Sequence, residues 1–313
     1  MGSFSPPDDS PLIAQRRIAV LGEVLFDCFP DARRLGGAPF NVAWHLSGLS
    51  ARPLLISRVG EDAAADEIRH AMRAHGMSTD GLQTDPDHPT GTVRITLDGS
   101  GGHDFTILPD QAYDHIDAAA LSRLLAESPP ELIYFGTLCL RQEESRASIM
   151  NAVAACDGIR SLDINLRKDC WTETTLTLAL EHATVAKLND EELGTLADIY
   201  GLPDGPEGAA ITLRERFDLD GVCVTRGPRG AIWCGKDGTV ESAAPKVDIV
   251  DTVGAGDSFS AVLILGLLSG WPPADTLHRA AALAAAICER RGACPNDPEF
   301  YQAFSRTFAG VRG

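Results

Sequence analysis

The chain has 313 residues, 44% hydrophobic and 23% charged, which are ordinary globular proportions and exclude collagen, coiled coil and intrinsic disorder. Its 44 acidic and 27 basic side chains leave a formal charge of −17. That balance argues against nucleic acid and anionic membranes as partners, since both are held by a surplus of Lys and Arg.

The first fifteen residues are rich in Pro, Ser and Asp and read as a disordered tail without a signal-peptide core. Residues 16–313 read as a single domain. Residues 18–22 form an apolar first strand, 40–49 have helical spacing, 54–59 form a strand, and 63–75 form an amphipathic helix ended by Gly76. The pattern then changes. Residues 92–97 and 104–108 alternate apolar and polar about a turn cluster at 98–102, the pattern of a half-exposed β-hairpin standing off the main body. Further strands are expected at 132–135, 161–164, 184–188, 221–225 and 231–234, with helices at 117–127, 142–155, 190–199 and 207–216. The last third is helical, at 255–269, 273–289 and 297–308. Strands alternating with helices imply an α/β doubly wound, mainly parallel sheet flanked by helices.

Eight cysteines are spread along the chain without a CxxC pair, which reads as reduced thiols in a cytoplasmic protein. The longest apolar stretches, 261–268 and 280–288, are too short to span a bilayer. Gly230 to Lys236 matches the first seven positions of a phosphate-binding P-loop. The eighth is Asp237, and the segment reads as a hairpin rather than a strand leading into a helix. No dinucleotide GxGxxG follows the first strand, and neither HExxH nor GxSxG occurs. These absences disfavour a dehydrogenase, a zinc hydrolase and a serine esterase.

The strongest local signal is Asp251-Thr252-Val253-Gly254-Ala255-Gly256-Asp257, leading into an apolar helix. Glycines at a helix start let a ligand approach, and the first N–H groups form an anion hole. Asp257 in the first turn is placed to accept a proton from an alcohol, with the helix dipole expected to lower its pKa. The bland alternative is a capped helix with an Asp on the dipole. Leu35-Gly36-Gly37-Ala38-Pro39-Phe40-Asn41 brings backbone close to a ligand, with Asn41 offering donor and acceptor. Asp27 is a carboxylate in apolar company, suited to sugar hydroxyls or to an ordinary turn. Asp163 to Arg167, Lys187 to Glu192 and Thr225 to Gly230 follow strand ends, where open α/β sheets bind ligands. Asn189 and Glu192 also fit a plain helix cap.

These motifs, in this order, resemble the PfkB carbohydrate kinases of the ribokinase-like superfamily from Ile18 to about Asn296, and bacterial fructokinases most. The resemblance implies a ribokinase-like kinase domain with a small β-sheet lid, its segments near 24–35 and 91–108. It implies Asp257 as catalytic base, with Gly254, Ala255 and Gly256 as the anion hole and Arg167 offsetting charge on the transferred phosphoryl group. Asp27, Gly36, Gly37 and Asn41 would contact the sugar, with Arg94 and Phe105 from the lid hairpin. Asn189, Thr225, Gly227, Gly230, Gly254 and Gly256 would face the nucleotide. Glu192 would position Mg²⁺ through water. Asp251 and the Arg291-Gly292-Ala293 loop would flank a monovalent cation such as K⁺. The implied reaction is ATP-dependent phosphorylation of a primary hydroxyl, D-fructose to fructose 6-phosphate, by a homodimer. Another sugar (2-keto-3-deoxygluconate or ribose), a nucleoside, or a non-catalytic sugar- or nucleotide-binding regulator on this fold are the alternatives.

Overall fold

The computed structural model describes residues 15–97 and 103–309. The segment 1–14, the bulk of the expected tail, and the turn cluster at 98–102 lie outside the described residues. Thirteen described strands form two sheets. The large sheet has nine strands in the order β13-β12-β11-β10-β9-β8-β1-β4-β5. Its strands are β1 (Ile18–Leu21), β4 (Leu54–Gly60), β5 (Leu82–Asp85), β8 (Leu132–Gly136), β9 (Ile159–Asp163), β10 (Val185–Asn189), β11 (Gly221–Thr225), β12 (Ala231–Gly235) and β13 (Gly238–Ser242). Pairing is parallel from β5 across to β11. The expected hairpin, β12 and β13, completes one edge in antiparallel register, which removes the P-loop reading of Gly230 to Lys236.

Parallel strands buried on both faces read as nearly continuous apolar runs. β1 shows how the two faces divide: Ile18 and Val20 enter one core and Ala19 and Leu21 the other. The first core receives α1 (Ala38–Gly48), α2 (Ala63–Ala74), α8 (Ala255–Ser269), α9 (Pro273–Cys288) and α10 (Pro298–Ala309). The second receives α3 (Ala118–Glu127), α4 (Glu143–Ala154), α5 (Glu173–His182), α6 (Asp190–Tyr200) and α7 (Pro206–Arg216).

α5 has no counterpart among the helices expected from periodicity. Its sequence, ETTLTLALEH, holds three threonines, each costing about 0.5 kcal/mol of helix propensity. Burial of Leu176, Ala179 and Leu180, at roughly 2 kcal/mol for each leucine, outweighs that cost. The Thr172 hydroxyl caps the first turn by accepting the Thr175 N–H. β5 was likewise hidden, because Leu-Gln-Thr-Asp carries no apolar run.

The small sheet has the order β3-β2-β6-β7, from β2 (Leu25–Cys28), β3 (Arg33–Gly36), β6 (Gly91–Leu97) and β7 (His103–Ile107). β6 and β7 form the expected antiparallel hairpin, and β6 also pairs in parallel with β2. Its inner face carries Leu25, Val93 and Ile95, packed with Tyr113, Leu138 and Cys170. The chain leaves β1 for α1 on one face of the large sheet and leaves β8 for α4 on the other. The adjacent ends of β1 and β8 are therefore a topological switch point, where α/β sheets open a crevice.

Candidate active site

The small sheet overhangs that crevice and encloses a cavity of about 510 Å³. Its walls are Leu25, Asp27, Val93, Phe105 and Ile107 from the small sheet, with Glu23, Gly37, Ala38, Asn41 and Leu138 beneath them. Its floor is built from strand ends and the loops beyond them: Asp163, Asn165 and Arg167 after β9, Lys187 and Asn189 at the end of β10, and Thr225 at the end of β11. Glu192 from α6 and the turn Thr252, Val253, Gly254, Gly256 and Asp257 at the start of α8 close it.

Gly254 caps α8 at φ +81°, and a Cβ there would come within 2.5 Å of the Ala293 Cβ, so only glycine fits the turn. The Ala255 N–H turns back to the Thr252 carbonyl at 3.3 Å. The N–H groups of Gly256 and Asp257, in the first turn, have no acceptor within the helix, the kind of helix end at which anions bind. Ala255 contributes the bend rather than a donor.

Asp257 is held by Asn41, whose Nδ2 donates to Oδ2 at 2.7 Å. The Cys294 thiol in turn donates to Asn41 Oδ1 at 3.1 Å, which fixes the amide with its N–H₂ toward the carboxylate. Burial pushes the Asp257 pKa up to about 6, although Asn41, Lys187 and Arg167 favour its charged form. The dipole-lowered carboxylate expected from the sequence is thus reversed: enclosure by the cavity outweighs the helix end. A carboxylate of this kind can take a proton from an alcohol near neutral pH.

Of the cavity's other carboxylates, Glu23 and Asp27 lie on the side of the small sheet. Glu23, 3% exposed, has its pKa raised to about 7, chiefly by burial and against the pull of Arg167. Its Oε1 accepts the Ala38 N–H at 3.3 Å, while the buried Oε2 has no hydrogen-bond partner. In the sequence Glu23 stands beside Gly22 near Asp27, part of the resemblance to bacterial fructokinases; the fold adds that the residue lines the cavity with one oxygen buried and unsatisfied. Burial also raises Asp27, opposed by Arg167 and Arg34. Arg167 therefore bears electrostatically on all three carboxylates.

Lys187 is buried and paired with Asp163, its Nζ lying 3.2 and 3.1 Å from the two oxygens. Asp163 Oδ2 also accepts Tyr134 OH at 3.0 Å and Ser260 Oγ at 2.8 Å. Burial opposes the ammonium charge, but Asp163, Glu192 and Asp257 outweigh it and hold the Lys187 pKa above the ordinary range. Asn189 and Glu192 form a reciprocal cap: Asn189 Oδ1 accepts the Glu192 N–H and Glu192 Oε2 accepts the Asn189 N–H, both at 2.8 Å. Glu192 Oε1 accepts the Leu166 N–H at 2.9 Å, tying the Asn165–Arg167 loop to α6. The structural cap and the site position are one arrangement here.

Gly37, Asn41, Asp27, Phe105, Arg167, Asn189, Glu192, Thr225, Gly254, Gly256 and Asp257 all reach the cavity. Gly36 lies behind it, where a Cβ would sit 3.1 Å from Asp27 Oδ2. Gly227 and Gly230 do not line it; a Cβ on Gly230 would strike the Ser242 carbonyl, so that glycine serves the packing of β13. Arg94 is set apart. Strand alternation puts it on the face opposite Val93 and Ile95, exposed to solvent. Asp251 stands outside the cavity, accepting the Gly292 N–H at 3.0 Å and the Val253 N–H at 3.1 Å, which brings it against the 291–293 loop.

Among the described residues no helix is long and apolar enough to cross a membrane. A family profile described as pfkB family carbohydrate kinase matches residues 15–299. A fructokinase of Salmonella typhimurium is 30% identical over 277 residues, covering 83% of this chain and 87% of its own. The crystal structure of a Vibrio cholerae O395 fructokinase in a fructose-, ADP- and calcium-bound form superposes with a TM-score of 0.76 at 26% identity, over 92% of this chain and 99% of that one. The same fold, at TM-score 0.76 and 22% identity over 93% of this chain and all of the other, carries an aminoimidazole riboside kinase from Salmonella enterica.

Proposed function

From the premise that the chain belongs to the pfkB family of carbohydrate kinases and is a phosphotransferase, we propose that it transfers the γ-phosphoryl group of ATP to a primary hydroxyl of D-fructose, giving fructose 6-phosphate. The observation that carries this reading is Asp257, bonded to Asn41 at the open end of α8 and facing a cavity walled by the small sheet.

Each residue then has work to do. The small sheet acts as the lid. Its apolar inner wall, with Leu25, Val93 and Ile107, lies over the sugar and keeps water from competing for the phosphoryl group. Asp27 and Asn41 take sugar hydroxyls, with Glu23 lining the same pocket. Asp257 receives the proton of the attacking hydroxyl. Phosphoryl transfer asks for little basicity early in the reaction, so a group with pKa about 6 suffices. The N–H groups of Gly256 and Asp257, with Arg167, meet negative charge on the transferred group as it develops. Thr225 and Asn189 border the nucleotide side.

A divalent ion on the nucleotide, Mg²⁺, would be held by Glu192 beside Asn189. Each Glu192 oxygen already accepts one backbone N–H, so the donor set fits a cation gripped through water rather than a full protein cage. When bound it supplies charge neutralisation of the phosphates. Asp251 beside the 291–293 loop would flank a monovalent ion such as K⁺, its carboxylate held below the ordinary range by the Gly292 and Val253 N–H groups despite partial burial.

The test is ADP release with ATP·Mg²⁺ against fructose, ribose, 2-keto-3-deoxygluconate, adenosine and glucose, with the product's phosphorylated position read by NMR. Turnover confined to fructose with phosphate on C6 supports the assignment. Dominant turnover on another acceptor overturns the sugar and keeps the phosphotransferase.

A further inference from the structure

Building on the reading of Asp257 as the base, we propose that Trp44 and Cys294 are positioning residues for it, acting through the 292–296 loop and Asn41. Asn41, Trp44 and His45 lie at i, i+3 and i+4 on one face of α1. That face meets residues 292–296, part of the connection from α9 to α10. Asn41 bonds both Asp257 and Cys294. One turn further on, Trp44 Nε1 donates to the Pro295 carbonyl at 2.9 Å. His45, fully buried, has its Nδ1 2.9 Å from the Tyr301 hydroxyl, so α1 also holds the helix that follows the loop.

The rest of the loop is gripped as closely. The Gly292 N–H donates to Asp251, and Ala293 packs against Gly254, the residue that turns the chain into α8. The Asn296 side chain hydrogen-bonds the His75 ring. His75 in turn stacks on the Trp44 indole, 3.6 Å between centroids and 8° from parallel, and its Nε2 lies 3.0 Å from the Trp44 carbonyl. The indole is thus held across its face while its N–H holds the loop.

The physical need for such a relay is the ambiguity of an amide. Asn41 has nearly the same shape with its oxygen and nitrogen exchanged, and only one orientation donates to a carboxylate. Cys294 breaks that symmetry. Burial and the Asp257 charge hold its thiol well above the ordinary range, so the proton stays on sulfur and the group is a donor. A donor at Asn41 Oδ1 leaves Nδ2 for Asp257. The thiol must stand beside Oδ1 to do this, and its neighbour Pro295 is fixed by Trp44. Neither Trp44 nor Cys294 lines the cavity, so their influence reaches the reaction as the aim of the carboxylate. Aim matters: a misplacement of about 1 Å can lower a rate by about 10²-fold.

The experiment is a mutant cycle in kcat, read as ADP release at saturating ATP·Mg²⁺ and saturating acceptor, using the sugar that the unaltered chain turns over fastest. Asn41→Ala removes a hydrogen bond to a charged group and should lower kcat by about 10–100-fold. Cys294→Ala should lower it by about tenfold, whereas Cys294→Ser, which keeps a donor, should stay within about threefold of the parent. In the Asn41→Ala background Cys294→Ala should change nothing further, because no amide is left to orient; independent structural losses would multiply instead. Trp44→Phe keeps a ring for His75 to stack on but lacks the N–H; it should lower kcat by about threefold and add nothing to Cys294→Ala. Urea unfolding verifies that each variant is folded under assay conditions. A slowed Asn41→Ala beside an unslowed Cys294→Ala, or losses that multiply around the cycle, overturns the relay and leaves the base in place. An unaltered chain without turnover, or an Asn41→Ala chain as fast as the parent, removes the base reading and the relay with it.

Discussion

Acidification provides a quantitative test of Asp257. Its carboxylate, with pKa about 6, must be ionised to accept the hydroxyl proton. Protonation deactivates it, so activity is present above that value and lost as pH falls through it. At pH 7 about nine-tenths of the chains carry the carboxylate and at pH 5 about one-tenth, so kcat/KM should fall about tenfold between them. The assay is initial-rate ADP release at saturating ATP·Mg²⁺ and subsaturating sugar from pH 5 to 8. Phosphate groups titrate near 6 as well, so the acid limb is assigned by moving it. Asn41→Ala removes the N–H that favours the charged carboxylate and should shift the limb to higher pH. Glu23→Gln should leave the limb nearly in place, since Glu23, with pKa about 7, is mostly protonated where Asp257 titrates. Asp257→Asn should cost about 10²–10⁴-fold in kcat while ATP still binds. A profile unmoved by Asn41→Ala, or an Asp257→Asn enzyme within tenfold of the parent, would refute the base assignment.

Other substitutions probe the surroundings. Lys187→Met strands the buried Asp163 carboxylate and should lower unfolding free energy by about 3–5 kcal/mol in urea, with Asp163→Asn in the same chain restoring part of it; a loss below about 1 kcal/mol would mean the pair is not what organises the floor. Arg167→Ala should lower kcat/KM by about 10–100-fold, the worth of a charge-assisted contact, whereas Arg94→Ala should stay within about twofold because its side chain faces away; equal losses would sink the orientation. Gly254→Ala forces a Cβ into Ala293 at positive φ and should cost about 1–3 kcal/mol of stability and reduce kcat, read by thermal melting alongside turnover. A variant unchanged in both would show that the turn tolerates a side chain.

What the sequence disclosed follows from how locally each feature is encoded. The α8 helix lies at 255–269 as expected, because an apolar run between two glycines marks both ends. The glycine-rich turns and strand-end motifs also led to the cavity, since sheet topology sends such ends to one crevice. Features set by contact between distant segments were hidden. Cys294 orients Asn41 across the fold, with no spacing between them to read. Glu23 was legible as the neighbour of Gly22 near Asp27, but that its Oε2 lies buried without a partner was not. Arg94 is the converse case. Its charge was legible, but the side of the strand it occupies is fixed by the packing of Val93 and Ile95. Threonine-rich α5 forms because the sheet face requires cover, a demand its own composition does not announce.

The parallel pairing of β2 with β6 has a consequence for the birth of the molecule. Leu25 pairs with Gly91, and the whole of α1, β4, α2 and β5 lies between them in the chain. Such a pair rewards the chain only after that long loop has closed, so it belongs to the slow, non-local part of folding. By the same measure β1 and β8, where Ile18 meets Leu132, close a longer loop still, so neither the roof nor the centre of the large sheet is complete until later segments are made. During synthesis β1 and β2, made early, both wait for partners with unpaired edges. Chaperone dependence or aggregation in slowly translated or destabilised chains should concentrate on those waiting edges.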